Sequence, residues 1–143
     1  YHMGQLDEAI HNFETALKME PEDHFLWGNL GDALRVADAP GDRTTETYVR
    51  ARELARDALV VNDNDADTLA RMAVYSASLG NPAAALEYVA RAERVGSDNV
   101  YVLYDLGVAS LLLGNSAARK QYVERALALG FPRVLYQTDP QFK

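Results

Sequence analysis

The sequence predicts an all-α fold, an α-solenoid of antiparallel helix pairs, and two observations support this prediction. The first is an internal repeat: residues 79–92 read LGNPAAALEYVARA and residues 113–126 read LGNSAARKQYVERA, an offset of 34 residues (113 minus 79). The second is that apolar residues recur at helical spacing inside each repeat. A period between about 20 and 50 residues is typical of units that bury their apolar faces by stacking.

Each unit is predicted to hold two helices separated by a short turn. In the third unit, helical periodicity runs from Ala66 to Leu79, and Gly80-Asn81 then supply a stop and an N-cap. Pro82 follows at the first position of the second helix, where a missing N–H costs nothing. That helix is expected to end at residues 96–98. Gly114-Asn115 repeat the stop and the cap in the fourth unit.

Small residues recur where the two helices of a unit are expected to cross closely. Gly31, Ala73 and Gly107 occupy this position on the first helices. The corresponding second-helix residues are Ala16, Ala58, Ala92 and Ala126, and the larger residues expected beside the crossings are Trp27, Leu30 and Leu69. A bulky side chain at Gly107 should overpack its crossing by about 1–3 kcal/mol.

These residues resemble the tetratricopeptide repeat (TPR), whose pattern is W-x2-L-G-x2-Y, then A-x3-F, then P. The second unit supplies Trp27, Leu30 and Gly31, with Leu34 in place of the tyrosine. The first unit supplies only the later half of the pattern, namely Gly4, Ala9, Phe13, Ala16 and Pro21. The resemblance extends to about Gly130 and implies a right-handed TPR-like superhelix.

We expect one TPR-like domain over residues 1–143. Its parts are a partial repeat at 1–21, a repeat at 24–64 with an insertion near 38–47, repeats at 66–99 and 100–133, and a C-terminal cap or tail at 134–143. The insertion predicts a longer loop followed by an extended second helix that Thr44 or Thr45 would cap. A tolerated loop insertion is the alternative.

Both ends of the chain depart from the repeat. No partner helix precedes the first one, so we expect the parent protein to continue N-terminally. The tail does not start a fifth unit, and its apolar residues could cover the last helix pair, as stacked repeats require; they are Phe131, Val134, Leu135 and Tyr136. The tail also resembles the last segment of TPR regions joined to bacterial signalling kinases and cyclases, which implies the C-terminal TPR region of a bacterial signalling or regulatory protein.

Composition excludes several classes of function. The chain has no cysteine, so it has neither a disulfide framework nor a zinc site built on thiolates. A reducing compartment fits this, and the cytoplasm is favoured. The net charge of −7 disfavours nucleic acid, including RNA-reading helical repeats, because such binding depends on Lys and Arg at phosphates. The same charge disfavours an anionic membrane surface.

No motif points to catalysis, a metal or a cofactor. The stretch VNDNDAD at residues 61–67 looks like a calcium loop, but counting from Asp63 puts Thr68 sixth and Val74 twelfth, where glycine and glutamate are needed. We expect Asn64 or Asp65 to cap the next helix instead. The histidines, His2, His11 and His24, form no H-x3-H pair. No nucleophile elbow, P-loop or dinucleotide fingerprint occurs, so the prediction is that the protein is not an enzyme.

The resemblance implies that the first helix of each unit lines a concave groove where ligands bind. The candidate groove residues are Phe25, Asn29, Asp32, Arg35, Asp67, Arg71, Tyr101, Tyr104 and Asp105, with Gly28, Ala70, Val74, Ser78 and Val108 on the same faces. This mixture of aromatic, amide and charged side chains suits an extended peptide or a partner helix.

The predicted function is therefore a scaffold for protein–protein interaction, with a protein or peptide partner. The alternative is a structural module that self-associates through exposed solenoid ends into a homo-oligomer. A clamp for the C-terminal carboxylate of chaperone tails is rejected. Asn29 and Arg71 match that clamp, but Asp67 stands where it needs lysine and would repel a carboxylate.

Overall fold

The structure, a computed structural model, describes residues 3–143, and all of their regular secondary structure is helical. His2, one of the histidines considered above, lies outside these residues. The helices are α1 Met3–Met19, α2 His24–Val36, α3 Gly41–Val61, α4 Ala66–Ser78, α5 Pro82–Gly96, α6 Val100–Leu112, α7 Ser116–Ala128, α8 Arg133–Thr138 and a short 3-10 helix at Pro140–Phe142. The predicted all-α class is confirmed.

The chain divides into two compact units, residues 1–57 and 58–143. The first unit holds α1, α2 and most of α3. In the second unit α4 packs against α5 and α6 packs against α7, and α4 also packs against α6. These are the helix pairs that the repeat predicts, with the first helices of successive repeats side by side.

The turns inside the helix pairs form as the Gly-Asn motifs predict. Gly80 and Gly114 have φ of +76° and +74°, a left-handed conformation that glycine adopts without strain. Asn81 then accepts a hydrogen bond from Ala84 N–H at 3.2 Å, with Pro82 at the start of α5. Asn115 does the same for α7.

The acidic stretch before α4 is a capping turn, as predicted. Asp65 is the N-cap of α4, and its carboxylate accepts hydrogen bonds from Thr68 N–H at 3.4 Å and from the Thr68 hydroxyl at 3.1 Å. Helix α4 begins at Ala66, the predicted residue. Asp65 therefore serves the chain's own helix as its N-cap.

Two of the small residues, Gly31 and Gly107, lie at close helix approaches, as predicted. A Cβ built on Gly31 would stand 2.8 Å from the ring of Tyr48 in α3, and one built on Gly107 would stand 2.9 Å from a methyl of Val123 in α7. A third approach was not predicted: a Cβ on Gly96, the last residue of α5, would stand 2.9 Å from the Cβ of Ala66. The sequence had given Gly96 only a helix-ending role.

Residues 41–47 of the insertion are helix and leave only residues 37–40 between α2 and α3, so the expected longer loop is wrong, and so are the caps proposed at Thr44 and Thr45. Helix α3 begins at Gly41 and runs for 21 residues, compared with 15 for α5 and 13 for α7. The carbonyl of Pro40 accepts the N–H groups of Arg43 and Thr44, which starts the helix before either threonine could cap it. The extended second helix that was also expected is confirmed.

The tail covers less of the protein than expected. Phe131 is buried, but Val134 and Leu135 are 62% and 52% exposed, so the prediction that these two cover the last pair is wrong. The reason is that α8 has only six residues and none of them is buried. Tyr136 is half-buried and contacts Phe142, with their ring centroids 5.3 Å apart.

Asn99→Ala is expected to lower the free energy of unfolding by about 1 kcal/mol. Asn99 caps α6, and its Oδ1 accepts hydrogen bonds from Tyr101 N–H at 3.0 Å and Val102 N–H at 3.2 Å. Urea unfolding followed by circular dichroism measures the change. The control is Asn12→Ala on the exposed surface of α1, where alanine is the better helix former, so stability should hold or rise. Equal stability of the two variants would contradict the capping role.

Candidate functional site

Two candidate residues from successive repeats pair between α4 and α6. Arg71 Nη1 lies 3.3 Å from Asp105 Oδ1, and the two positions are 34 residues apart, one repeat period. The guanidinium of Arg71 also lies over the Tyr75 ring, 5.1 Å from its centroid, and Arg71 is only 6% exposed. The first helices of the two repeats are thus in register. We call the surface that carries Asp67, Arg71, Tyr101, Tyr104 and Asp105 the α4–α6 face.

Asp67 and Tyr101 form the exposed part of the α4–α6 face. They precede Arg71 and Asp105 by one helical turn on their respective helices, so the register of that pair brings them to the same level. Tyr101 is 61% exposed and Asp67 is also exposed. Partial burial, followed by the nearby charge of Asp65, raises the pKa of Asp67. This end of the face therefore exposes an aromatic ring and a carboxylate.

Tyr104 lies under the chain's own C-terminal segment and is 8% exposed. Its ring stacks on Phe131 with centroids 4.0 Å apart, and the edge of Phe142 approaches it at 5.5 Å. Its hydroxyl donates a hydrogen bond to Asp139 Oδ2 at 2.5 Å. Burial, together with this hydrogen bond, raises the pKa of Tyr104, so the hydroxyl remains a donor at neutral pH. The sequence did not predict this coverage.

Among the candidate residues of the first unit, Asp32 and Arg35 are half-buried and hydrogen-bonded within the protein, whereas Phe25 is exposed. Tyr48 of α3 is 1% exposed, and its hydroxyl donates to Asp32 Oδ1 at 2.6 Å and accepts from Arg35 Nε at 3.0 Å. Arg35 also pairs with Asp32 at 3.6 Å. Phe25 is 38% exposed and packs on the His24 ring at 4.1 Å. Asn29 is half-buried. Tyr48 was missed as a site residue because it lies on a second helix, and the candidates were taken only from first helices.

The remaining positions on the first-helix faces are mostly packing residues. Ala70 and Val74 have no exposed surface, Val108 is 1% exposed, Gly28 is buried and Ser78 is half-buried. Two surface grooves in the second unit use other residues. One, of about 400 Å³, is lined by Pro82, Leu86, Val89, Leu113, Ala118, Tyr122 and neighbours. The other, of about 350 Å³, lies along α7 and α8 and is lined by Arg119, Lys120, Val123, Leu127, Arg133, Tyr136 and Glu124.

A polar cluster joins the second helices of the two repeats in the second unit. Glu93 accepts from Arg125 Nη1 and from the Tyr122 hydroxyl, both at 2.9 Å. These hydrogen bonds, Arg125 first, lower the pKa of Glu93. Burial, followed by the bond to Glu93, raises the pKa of Tyr122 to about 12. The cluster is partly exposed, so its contribution to stability is reduced by solvent.

Glu93→Gln is expected to lower the melting temperature at pH 7 and to have no effect at acid pH. Because the folded-state pKa of Glu93 is depressed, its stabilisation is present above the unfolded-state pKa and is lost as the pH falls through the folded-state value. The loss at pH 7 should be at most about 1 kcal/mol. The control is Glu124→Gln, which should have a smaller effect at pH 7 because its partner Lys120 lies 4.0 Å away at an exposed site. A Glu93→Gln effect that persists at about pH 2 would contradict the depressed pKa.

In residues 3–143, no three His, Asp or Glu side chains gather as metal ligands. Within the same part of the chain, no helix has the length and apolar character needed to cross a membrane.

Comparison with known proteins gives the family. A family model described as tetratricopeptide repeat matches residues 1–67 and 71–130. No curated protein matches the chain. The matched ranges cover most of the sequence and agree with the helix pairs, the Gly-Asn turns and the small residues at the crossings. Repeats of this family are non-catalytic and mediate protein–protein interactions. The chain belongs to the tetratricopeptide repeat family.

Proposed function

We propose that this protein binds an extended peptide or a helix of a partner protein on the first-helix faces of its repeats, and that it carries out no catalysis. The observation that carries the proposal is the register of α4 and α6. The Arg71–Asp105 pair aligns the two helices, and Asp67 and Tyr101 remain accessible one turn away.

The chemistry of these residues suits a peptide ligand. An exposed tyrosine offers a large apolar surface together with a hydroxyl, at a small cost in side-chain entropy, which makes it a frequent anchor in interfaces. The carboxylate of Asp67 can accept backbone or side-chain N–H groups. Because partial burial, and then the nearby charge of Asp65, disfavour the charged form of Asp67, a cationic group of the ligand would be favoured beside it.

Selection from a displayed library of random peptides, followed by affinity measurement on the selected peptides, tests the proposal. Tyr101→Ala is expected to weaken binding at least about tenfold, and Asp67→Asn to weaken it less. The matched control is Tyr88→Ala, a half-buried tyrosine on the second helix α5. Unchanged affinity in Tyr101→Ala, or equal losses in the two tyrosine variants, would place binding elsewhere.

Self-association is the second candidate, and one observation favours it. Leu129, Val134 and Leu135 near the C-terminal end of the second unit are 54%, 62% and 52% exposed. Exposed apolar side chains mark contact surfaces where they form a contiguous patch, and Val134 and Leu135 are consecutive residues of α8. Sedimentation velocity over a range of concentrations should show a rising sedimentation coefficient for the native chain and a constant one for Val134→Glu/Leu135→Glu. A constant coefficient for the native chain excludes this candidate.

A further inference from the structure

We infer that residues 139–142 act as an intramolecular ligand of the α4–α6 face, and that the same site binds in trans a segment with an acidic residue followed three positions later by an aromatic residue. The inference rests on the proposed function, since it names the ligand chemistry of one end of that face and a contact that controls access to it.

The contacts of the C-terminal segment have the form of ligand recognition. Asp139 uses one carboxylate oxygen to accept from the Tyr104 hydroxyl, and the other to accept from Gln141 N–H at 2.9 Å. The second bond caps the 3-10 turn at Pro140–Phe142, which Phe142 N–H closes on the Asp139 carbonyl at 3.3 Å, and this turn brings the Phe142 ring against Tyr104. The acidic residue thus fixes both the hydrogen bond and the position of the aromatic ring.

The receptor side of this contact is held by ring contacts that do not involve residues 139–142. Phe131 is 8% exposed and stacks on Tyr104, with their planes only 6° apart. Tyr101 meets the edge of Phe131 at 5.9 Å, so the exposed anchor of the proposed function adjoins the covered site. A peptide that extends from Tyr101 along α6 would reach Tyr104 and meet the segment there.

The segment itself is held at the surface. Neither α8 nor the 3-10 helix contains a buried residue, and Asp139, Gln141 and Phe142 are each partly exposed. A segment that belonged to the core would bury its aromatic side chain. Shallow docking through the Asp139–Tyr104 hydrogen bond and the Phe142–Tyr104 ring contact can be exchanged for equivalent contacts from another chain.

A full-chain variant with a weakened segment provides the test. Asp139→Ala/Phe142→Ala removes both contacts and leaves Tyr101, Tyr104 and Phe131 unchanged. The probe is a fluorescent synthetic peptide with the sequence of residues 133–143, and its affinity is measured by fluorescence anisotropy. The variant should bind the probe at least about tenfold more tightly than the native chain, because the native segment occupies the site. A probe with the same two alanine substitutions is the control and should not bind.

Equal affinity of the native chain and the variant overturns the inference, as does binding of the substituted probe. If the double variant loses helicity, Phe142→Ala alone replaces it, because this variant keeps the Asp139 hydrogen bond. Its affinity for the probe should lie between those of the native chain and the double variant. If Phe142→Ala binds the probe no more tightly than the native chain, the inference is overturned. Tyr104→Phe in the weakened background should lose affinity without losing helicity. Failure of the probe while library peptides retain their dependence on Tyr101 overturns the inference alone. Failure of both overturns the proposed function as well.

Discussion

Gly31→Leu should lower the free energy of unfolding by about 3 kcal/mol, at the upper end of the usual cost of overpacking. A Cβ on Gly31 would stand 2.8, 2.9 and 3.0 Å from three atoms of the Tyr48 ring. That ring is 1% exposed, and its hydroxyl is held between Asp32 and Arg35. Asp32 and Arg35 lie on α2 with Gly31, so moving the ring aside and separating α2 from α3 would each break these hydrogen bonds.

Urea unfolding followed by circular dichroism measures this cost. Gly31→Ala should fall between the native protein and Gly31→Leu, since alanine recovers about 1 kcal/mol of helix propensity and still meets the ring. The matched control is Gly41→Ala, also at a helical glycine, where a new Cβ has no neighbour within 4 Å. Its stability should hold or rise. If Gly31→Leu proves as stable as Gly41→Ala, the helices do not approach as closely as described.

Gly107 is the corresponding position in α6, and the sequence alone predicted overpacking there. Its nearest neighbour is a single methyl group of Val123, which can rotate or shift more easily than a ring tied by hydrogen bonds. Substitution at Gly107 should therefore cost less than at Gly31. The motif marks both glycines as equivalent, and the difference comes from the residue on the facing helix.

The repeat and its turns were predictable because their causes are local. Gly80-Asn81-Pro82 contains a left-handed stop, a cap and a helix start within three residues, and each works through its immediate neighbours. The 34-residue period then indicates which residues occupy equivalent positions in successive repeats. Arg71 and Asp105 are such a pair, and they contact each other. Register between repeats is thus available to sequence reasoning.

The start of α3 was predicted too late because the same residue types occur in turns and at the starts of helices. Pro40-Gly41-Asp42 has the composition of a turn, but proline and aspartate are also favoured at the start of a helix. The pattern after it was correctly taken as helical, and only the boundary was wrong. Asp38 has a φ of 54°, and this left-handed residue turns the chain after α2. Few further residues are therefore needed to reach the start of α3.

Coverage of Tyr104 could not be predicted from the pattern. Asp139 lies 35 residues from Tyr104, in a segment that has no repeat period to align it. Its place is set by the Phe131 stack and by the turn that Asp139 itself closes, and both are tertiary features. The candidate residues on first helices were chosen by position alone, which does not reveal what lies over them.

Arg71→Glu should lower the free energy of unfolding by about 3 kcal/mol, the lower end of the cost of breaking a buried ion pair. Arg71 is 6% exposed and its charge is balanced by Asp105 at 3.3 Å. A glutamate there would face the Asp105 carboxylate and would lose the contact with the Tyr75 ring. Asp105 is 22% exposed at its side chain, so water relieves part of the repulsion.

Arg91→Glu is the matched control for this prediction. Arg91 also lies over a tyrosine of its own helix, 5.3 Å from the Tyr88 centroid, but it is half-buried and its further contact is a carbonyl at 3.4 Å. We expect a loss of at most about 1 kcal/mol there. The reversed pair, Arg71→Glu with Asp105→Arg, should recover part of the stability lost in Arg71→Glu, because the attraction between the two positions is restored.

This prediction decides how binding data for Arg71 are to be interpreted. A charge reversal on an exposed groove residue would change ligand affinity and leave stability intact. At a buried pair that aligns α4 with α6, the same change disturbs the face on which Tyr101 and Asp67 lie, and binding falls without any contact between Arg71 and the ligand. If Arg71→Glu unfolds at the same urea concentration as the native protein and still loses the selected peptides, Arg71 contacts the ligand directly and its pairing with Asp105 is not structural. If stability and binding fall together and both return in the reversed pair, Arg71 is a positioning residue.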